Sequence, residues 1–231
     1  MVGRELIEAA KIHKQVSQLT QISLAVNTFH SKYNGLPGDM HARAGELGLT
    51  PLGPMVGDDN GLINDQFGNL NIRTPDQEPV LFFAYLVEAN MLPRTFVKGA
   101  NCRVFDPGEP MAGEGRYYSM TLNSAMGMIP ITYEGKTWMY MGISDCSSGD
   151  AVGIGIKGVM TPIQAFGIDA KLDNGVPSSG TILAFRGSYR SGLQGIDLVD
   201  NVPNECVIDA AGTFYNIQDS TNQCRLLVRL W

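Results

Sequence analysis

Residues 6–33 read LIEAAKIHKQVSQLTQISLAVNTFHSKY, and this stretch decides the fold. From Ile12 the apolar side chains fall at Val16, Leu19, Ile22, Val26, Phe29 and Tyr33, in steps of three and four. That spacing is the period of an amphipathic α-helix with one continuous apolar stripe. Lys11, Lys14, Gln15, Gln18, Gln21 and Lys32 lie between the apolar positions and read as the solvated face. Asn34-Gly35, followed by Pro37, is ordinary C-terminal punctuation. Counted from the start of the chain, such a helix is a rod of roughly 45 Å at ~1.5 Å per residue. A compact domain of ~200 residues is only ~35 Å across. The beginning of the rod is therefore expected to protrude, leaving Leu6, Ile7, Ala9 and Ala10 uncovered by their own chain as a partner surface.

Beyond the helix the pattern breaks into short elements. Asp39 reads as the N-cap of a brief helix through Glu46, and residues 48–71 as a loop rich in Gly, Pro, Asp and Asn. A second helix is expected over 79–90, between Pro79 at its first position and Pro93 just past its end, with Leu81, Phe82, Tyr85, Leu86 and Ala89 inward. Strands are expected at 116–122 and 128–133, and Glu134-Gly135 turns the second of these into a hairpin with 136–143. Pro130 predicts an edge position for the strand that carries it. Thr161-Pro162 starts a helix running to about Asp173, with Ile163, Phe166, Gly167 and Ala170 as its apolar face and Asn174-Gly175 as its close. Two more strands follow at 181–186 and 225–230. The expected architecture is one loop-rich α+β domain: a long N-terminal helix (1–35) packed on an antiparallel sheet within a globular head (36–231).

Composition narrows the function. Hydrophobic residues make 44% of the chain and charged residues 17%, below the usual ~25%, which excludes a disordered tail or a charge-rich coiled coil. A net charge of −6 with no basic cluster excludes a nucleic-acid partner. No apolar run is as long as a membrane-spanning helix requires. Cys102, Cys146, Cys206 and Cys224 have no C-x-x-C spacing, so zinc-ribbon and thioredoxin chemistry are excluded. Four cysteines allow three pairings, and either two disulfides or four buried thiols fits the residues alone.

No enzyme signature emerges. Ser147-Ser148 beside Cys146 lacks the G-x-S-x-G elbow and a histidine partner. Residues 153–158, GIGIKG, lack the four-residue gap and the Ser/Thr after Lys that a phosphate loop needs. His13 and His30 lie ~25 Å apart along one helix and cannot share a metal, and His41 stands apart from both. Asp58-Asp59-Asn60-Gly61 resembles the middle of a calcium loop, with Asp58, Asn60 and Gly61 in place. Val56 and Phe67 stand where two oxygen donors belong, so the segment reads as a turn held by Asx hydrogen bonds. Asp169, Asp173 and Asn174 form a second polar group, with Asn174 explained as a helix cap.

Three strings carry a family resemblance. Residues 3–12, GRELIEAAKI, resemble the later part of the N-terminal helix of type IV pilin-like proteins, most closely the pseudopilin subunits of type II secretion systems. The string Ala25-Val26-Asn27-Thr28-Phe29 with Lys32-Tyr33-Asn34-Gly35-Leu36-Pro37-Gly38-Asp39 is similar to that of a bacterial prepilin-like group. Residues 168–180, IDAKLDNGVPSSG, are similar to the group's helix followed by D-G-x-P-x-x-G, and Glu78 with the helix ending at Leu92 fits a weaker third element. About 50 residues carry these matches.

The resemblance implies a fold and a role. Such proteins begin with a short basic leader and about 25 apolar residues of the same helix, which are expected upstream of this stretch. The family's glutamate belongs to that upstream segment, so Glu5 is not its equivalent. The expected role is a structural, non-enzymatic subunit of a type IV pilus-like filament or secretion pseudopilus. It would associate with other copies, related pilin subunits and an inner-membrane assembly platform through Leu6, Ile7, Ala9, Ala10 and Ile12, while Val16 to Tyr33 docks on the chain's own sheet. Inner-membrane anchoring with a periplasmic head, then a place in a surface or extracellular filament, follows from the same likeness. It also implies disulfides, Cys206–Cys224 near the C-terminus as in many pilin-like proteins and Cys102–Cys146. No cofactor is expected, calcium being the one that some pseudopilins bind. The alternative is an exported adhesin or carbohydrate-binding head, such as a minor pilin carries at a tip, with Tyr117, Tyr118, Tyr133, Trp138 and Tyr140 as its platform.

Overall fold

The structure, a computed structural model, describes residues 2–40, 57–63, 78–93, 117–119, 126–143, 158–186, 206–208, 212–221 and 224–231. Cys102, Cys146, His41, Ser147-Ser148, residues 153–157, Val56 and Phe67 lie outside the described residues, as does most of the brief helix expected after Asp39. Helix α1 spans Val2–Tyr33, α2 Glu78–Glu88 and α3 Pro162–Leu172. The strands are β1 (Tyr117–Ser119), β2 (Met126–Tyr133), β3 (Lys136–Ile143), β4 (Ile182–Arg186) and β5 (Cys224–Arg229). All pairings are antiparallel, in the order β1-β2-β3-β5-β4. The chain is thus an α+β fold with a long N-terminal helix, an antiparallel sheet and a disulfide. Among the described residues no helix is long and apolar enough to cross a membrane.

The helix boundaries follow local chemistry. Asn34 ends α1 in the left-handed conformation, φ 52°, donating its N–H to the His30 carbonyl at 2.7 Å. Thr161 caps α3 with its hydroxyl on the Gln164 N–H while the Gln164 side chain returns to the Thr161 N–H, a reciprocal pair that satisfies two orphan donors. The β2–β3 turn places both Glu134 and Gly135 at positive φ, the twist-matched geometry of a two-residue hairpin.

The core gathers around α1. Leu19, Ile22, Ala25, Val26 and Phe29 are buried with Phe82, Phe83 and Leu86 of α2, Ala165 and Ile168 of α3, and Met139, Met141, Leu226 and Val228 of the sheet. Helix α1 lies chiefly along α3 and then α2, so these two helices mediate much of its grip on the sheet. Trp138, Tyr140 and Leu227 point to the opposite sheet face and are buried there as well. The Trp138 indole donates to the Tyr133 carbonyl at 3.0 Å, and an Arg225 guanidinium N–H donates to the Tyr140 hydroxyl at 3.1 Å.

Several expectations are corrected. Gln15 is buried and not part of the solvated face; it lies one turn beyond Ile12, which packs on Gly167 of α3. The inward face of α3 is Ala165, Ile168 and Asp169, whereas Ile163, Phe166 and Ala170 are exposed. The buried Asp169 carboxylate finds its partners on this side: it accepts from the Tyr215 hydroxyl at 2.7 Å and from the Gly175 N–H at 3.0 Å. The cap of α3 is Asp173, one residue before Asn174. β2 is internal in the strand order; among the described residues β1 pairs with Met126, Gly127 and Met128 and stops short of Pro130. Proline's missing N–H is harmless at such a place.

Cys206 and Cys224 form the expected disulfide, both ends buried, with Cα atoms 4.9 Å apart and a sequence separation of 18. It fastens Cys206 to β5, and the Tyr215–Asp169 hydrogen bond fastens residues 212–221 to α3. Replacing both cysteines by alanine is expected to lower stability by about 3 kcal/mol, the loop-closure value for this separation. Urea unfolding of the two forms measures the difference, and equal midpoints would show that the bridge constrains nothing.

Candidate functional site

Two features stand out: the leading turns of α1 and a carboxylate junction at the opposite end of the helix. Leu6 and Ile7 are 66% and 59% exposed, Ala9 and Ala10 are exposed, and a methyl group built on Gly3 would touch nothing within 4 Å. Contact with the head begins at Glu8, whose carboxylate accepts from the Gln164 side chain at 2.8 Å and from Lys11 at 3.0 Å. Ile12 comes next, packed so closely on Gly167 that a methyl there would lie 2.9 Å from its Cδ1. Of the five residues expected to face a partner, four therefore stand free and Ile12 is seated on its own α3. Six residues separate Leu6 from Ile12, which turns the second side chain about 120° round the helix from the first.

The junction is built from Leu36-Pro37-Gly38-Asp39, the loop at 57–63 and the first residue of α2. Gly38, at φ +94°, runs against the Glu78 carbonyl and the Phe82 backbone. A methyl on Gly57 would overlap the Asp39 carbonyl. This backbone contact places Asp39, 3% exposed, so that its two carboxylate oxygens accept from the N–H groups of Asn60 (3.0 Å) and Gly61 (2.9 Å). Glu78, equally buried, accepts from the Asp58 N–H at 3.2 Å. Asp58 accepts from the Asn60 N–H at 3.1 Å, and Asn60 accepts from the Leu62 N–H at 2.7 Å, the expected consecutive Asx turns. The Asp39 carboxylate thus serves this loop, and the helix expected to follow it lies outside the described residues.

Asp39, Asp58 and Glu78 each bring a carboxylate oxygen within 4.8 Å of the others. Burial pushes the Asp39 carboxyl up to about 6; the two backbone N–H groups work against this, and Asp58 and Asp59 add to it. Three acids this close leave the raised Asp39 carboxyl either holding a proton or facing a hard cation, for which carboxylate oxygens are suitable donors. Asp58 and Asn60 were legible as a loop motif in the sequence. Asp39 and Glu78 were not, since only the packing of Gly38 on α2 brings them there.

The second polar group is structural. Asp173 accepts from the N–H groups of Thr181 and of Ile182 (3.1 Å), and Asn174 accepts from Val176 at 2.8 Å, so the residues after α3 wrap around its end. His13 is exposed, while His30 stacks on Trp231 with ring centroids 4.0 Å apart. Of the aromatic platform, Trp138 and Tyr140 are buried and Tyr133 half-buried, so the two central rings are closed to a sugar. The side chains of Tyr117 and Tyr118 lie outside the described residues.

Two outcomes follow from the junction. Gly57→Ala should cost about 3 kcal/mol, since the methyl meets backbone that cannot swing aside. Gly61→Ala, with open space around it but φ +80°, should cost only about 1 kcal/mol. Equal losses in chemical denaturation would refute the close approach. The raised Asp39 carboxyl means that the folded chain holds this proton more tightly than the unfolded one. Stability from this group is therefore full below pH about 4 and is lost as pH rises through about 6. Asp39→Asn is expected to flatten the decline of the unfolding free energy across that window, leaving the part due to Asp169, which burial also raises. Added calcium at pH 7 tells the two occupants apart: a cation raises the wild-type midpoint and leaves that of Asp39→Asn unmoved. The chain matches no family model, no curated protein and no solved structure.

Proposed function

We propose that this chain is a structural subunit of a type IV pilus-like filament or a type II secretion pseudopilus, assembling through its N-terminal helix. One observation carries the reading. A 32-residue helix is docked from Glu8 onward while its leading turns hold Leu6 and Ile7 in solvent. An isolated domain gains nothing from exposing two adjacent large aliphatic side chains, and exposed apolar surface of this kind marks association. The string that resembles the prepilin-like group supports the reading from another side. Its Leu36 is core, Gly38 permits the approach to α2, and Asp39 ties down the 57–61 loop, so the motif fastens the helix to the head. The arrangement of long helix, antiparallel sheet and late disulfide is the one that the resemblance implies. Contacts between identical copies that do not close on themselves generate a fibre.

The experiment follows the chain produced from its own gene, with whatever precedes it there. It should be recovered in the sheared, sedimentable filament fraction and be seen on filaments by immunogold labelling. Leu6→Ser with Ile7→Ser should reduce that fraction at least tenfold and leave the melting temperature of the head unchanged, since neither side chain touches it. Recovery only as a freely soluble protein, or filaments indifferent to the double change, would overturn the proposal.

A further inference from the structure

Alongside α1, and away from the carboxylate junction, lies a groove of about 510 Å³ between the helix, the end of α3 and the outgoing end of β5. Its floor is apolar, with Leu19, Val228 and Leu230 buried beneath it. Its rim carries Leu24, 66% exposed, and Trp231, 45% exposed, the latter held in place by His30. Arg229 is its charged lining residue and is exposed.

We propose that this groove receives the leading turn of α1 from a second copy of the chain, Leu6 seating beside Leu24 and Trp231 while Glu5 meets Arg229. The inference rests on the filament reading above and names the surface that the neighbour uses. Two observations select the occupant. The first is register along one helix face: Leu6 and Leu24 are 18 positions apart, about five full turns and ~27 Å, so both project from the same side of α1. They are also equally exposed. Two parallel copies that present this side to each other, shifted by ~27 Å, bring Leu6 of one to Leu24 of the other. The contact is head-to-tail and leaves a free groove and a free leading turn at the two ends, so it propagates instead of closing. The second is charge: Glu5 is exposed next to Leu6, and the groove offers a cation. A like-signed pairing of carboxylates would have opposed entry.

A photoreactive benzophenone amino acid in place of Leu6 tests the contact, in an equal mixture of ordinary and isotope-labelled copies so that cross-links between molecules are identified by mass. Illumination at high protein concentration should join position 6 to residues 19–27 or 228–231 of another copy. Leu24→Glu, which leaves the fold intact because the side chain is in solvent, should lower the yield about tenfold or more, the scale of one leucine withdrawn from an apolar contact. Sedimentation of the same samples separates the two ideas. Self-association that depends on Leu6, with cross-links mapping elsewhere or indifferent to Leu24→Glu, overturns the groove and leaves the filament reading standing. A monomer at every concentration, with no cross-link between copies, overturns both.

Discussion

A helix of 32 residues is ~48 Å long, and the head can hold it only where the apolar stripe meets an opposing surface. That mismatch of length governs the rest of the chain. Helices α2 and α3 exist to extend the gripping surface: α3 covers the middle of α1 around Gln15 and Leu19, and α2 covers its end around Phe29, whose ring stands 6.4 Å from that of Tyr85. Neither helix is long, and each is anchored by polar contacts at its own terminus. The sheet then closes the core through Met139, Met141, Leu226 and Val228 from the far side.

Those anchors share one chemical device. Asp39, Asp169 and Asp173 are carboxylates turned toward the backbone N–H groups of loops, where the chain lacks regular secondary structure to pair them. A buried N–H without an acceptor costs about 1–3 kcal/mol, so one carboxylate that satisfies two of them offsets much of its own desolvation. The offset is incomplete at Asp39 and at Asp169, where burial still outweighs the hydrogen bonds and the carboxyl titrates high. Tyr215 makes the point from the other side, its hydroxyl held protonated by burial and by the Asp169 carboxylate it donates to. Residues chosen for stability alone would be apolar. These specify which loop meets which helix end.

Much of the fold was legible because its signals are local. The α1 stripe, the Glu134-Gly135 hairpin and the Thr161-Pro162 start need only neighbouring residues to be recognised. The failures share the opposite cause. Gln15 looks solvent-facing by residue type yet is buried, one turn beyond Ile12, which packs on a residue about 150 positions away. On α3 the face of Ile163, Phe166, Gly167 and Ala170 reads as the inner one, but Ala165, Ile168 and the acid Asp169 are buried instead and leave Ile163 and Phe166 outside. The disulfide between Cys206 and Cys224 came from the family likeness, since four cysteines by themselves left three pairings. At the junction, Asp58 and Asn60 show their turn in the sequence, but their meeting with Asp39 and Glu78 depends on the absence of side chains at Gly38 and Gly57.

The fixed position of α1 also bears on how copies would associate. Glu8 on Gln164 and Ile12 on Gly167 lock one end of the docked segment, and the Gly38–Asp39 junction locks the other, so the helix cannot slide to hide its first turns. Their exposure is therefore a consequence of geometry rather than of motion. Burying Leu6 and Ile7 against a neighbour would gain ~1.5–3 kcal/mol each, against an association cost of 4–15 kcal/mol or more by common estimates. Two such side chains sustain at best a weak pair, populated only at high protein concentration. In the helical array proposed above, each copy would touch several neighbours at once. Small increments of this size favour a polymer in which many contacts are made together over any closed pair.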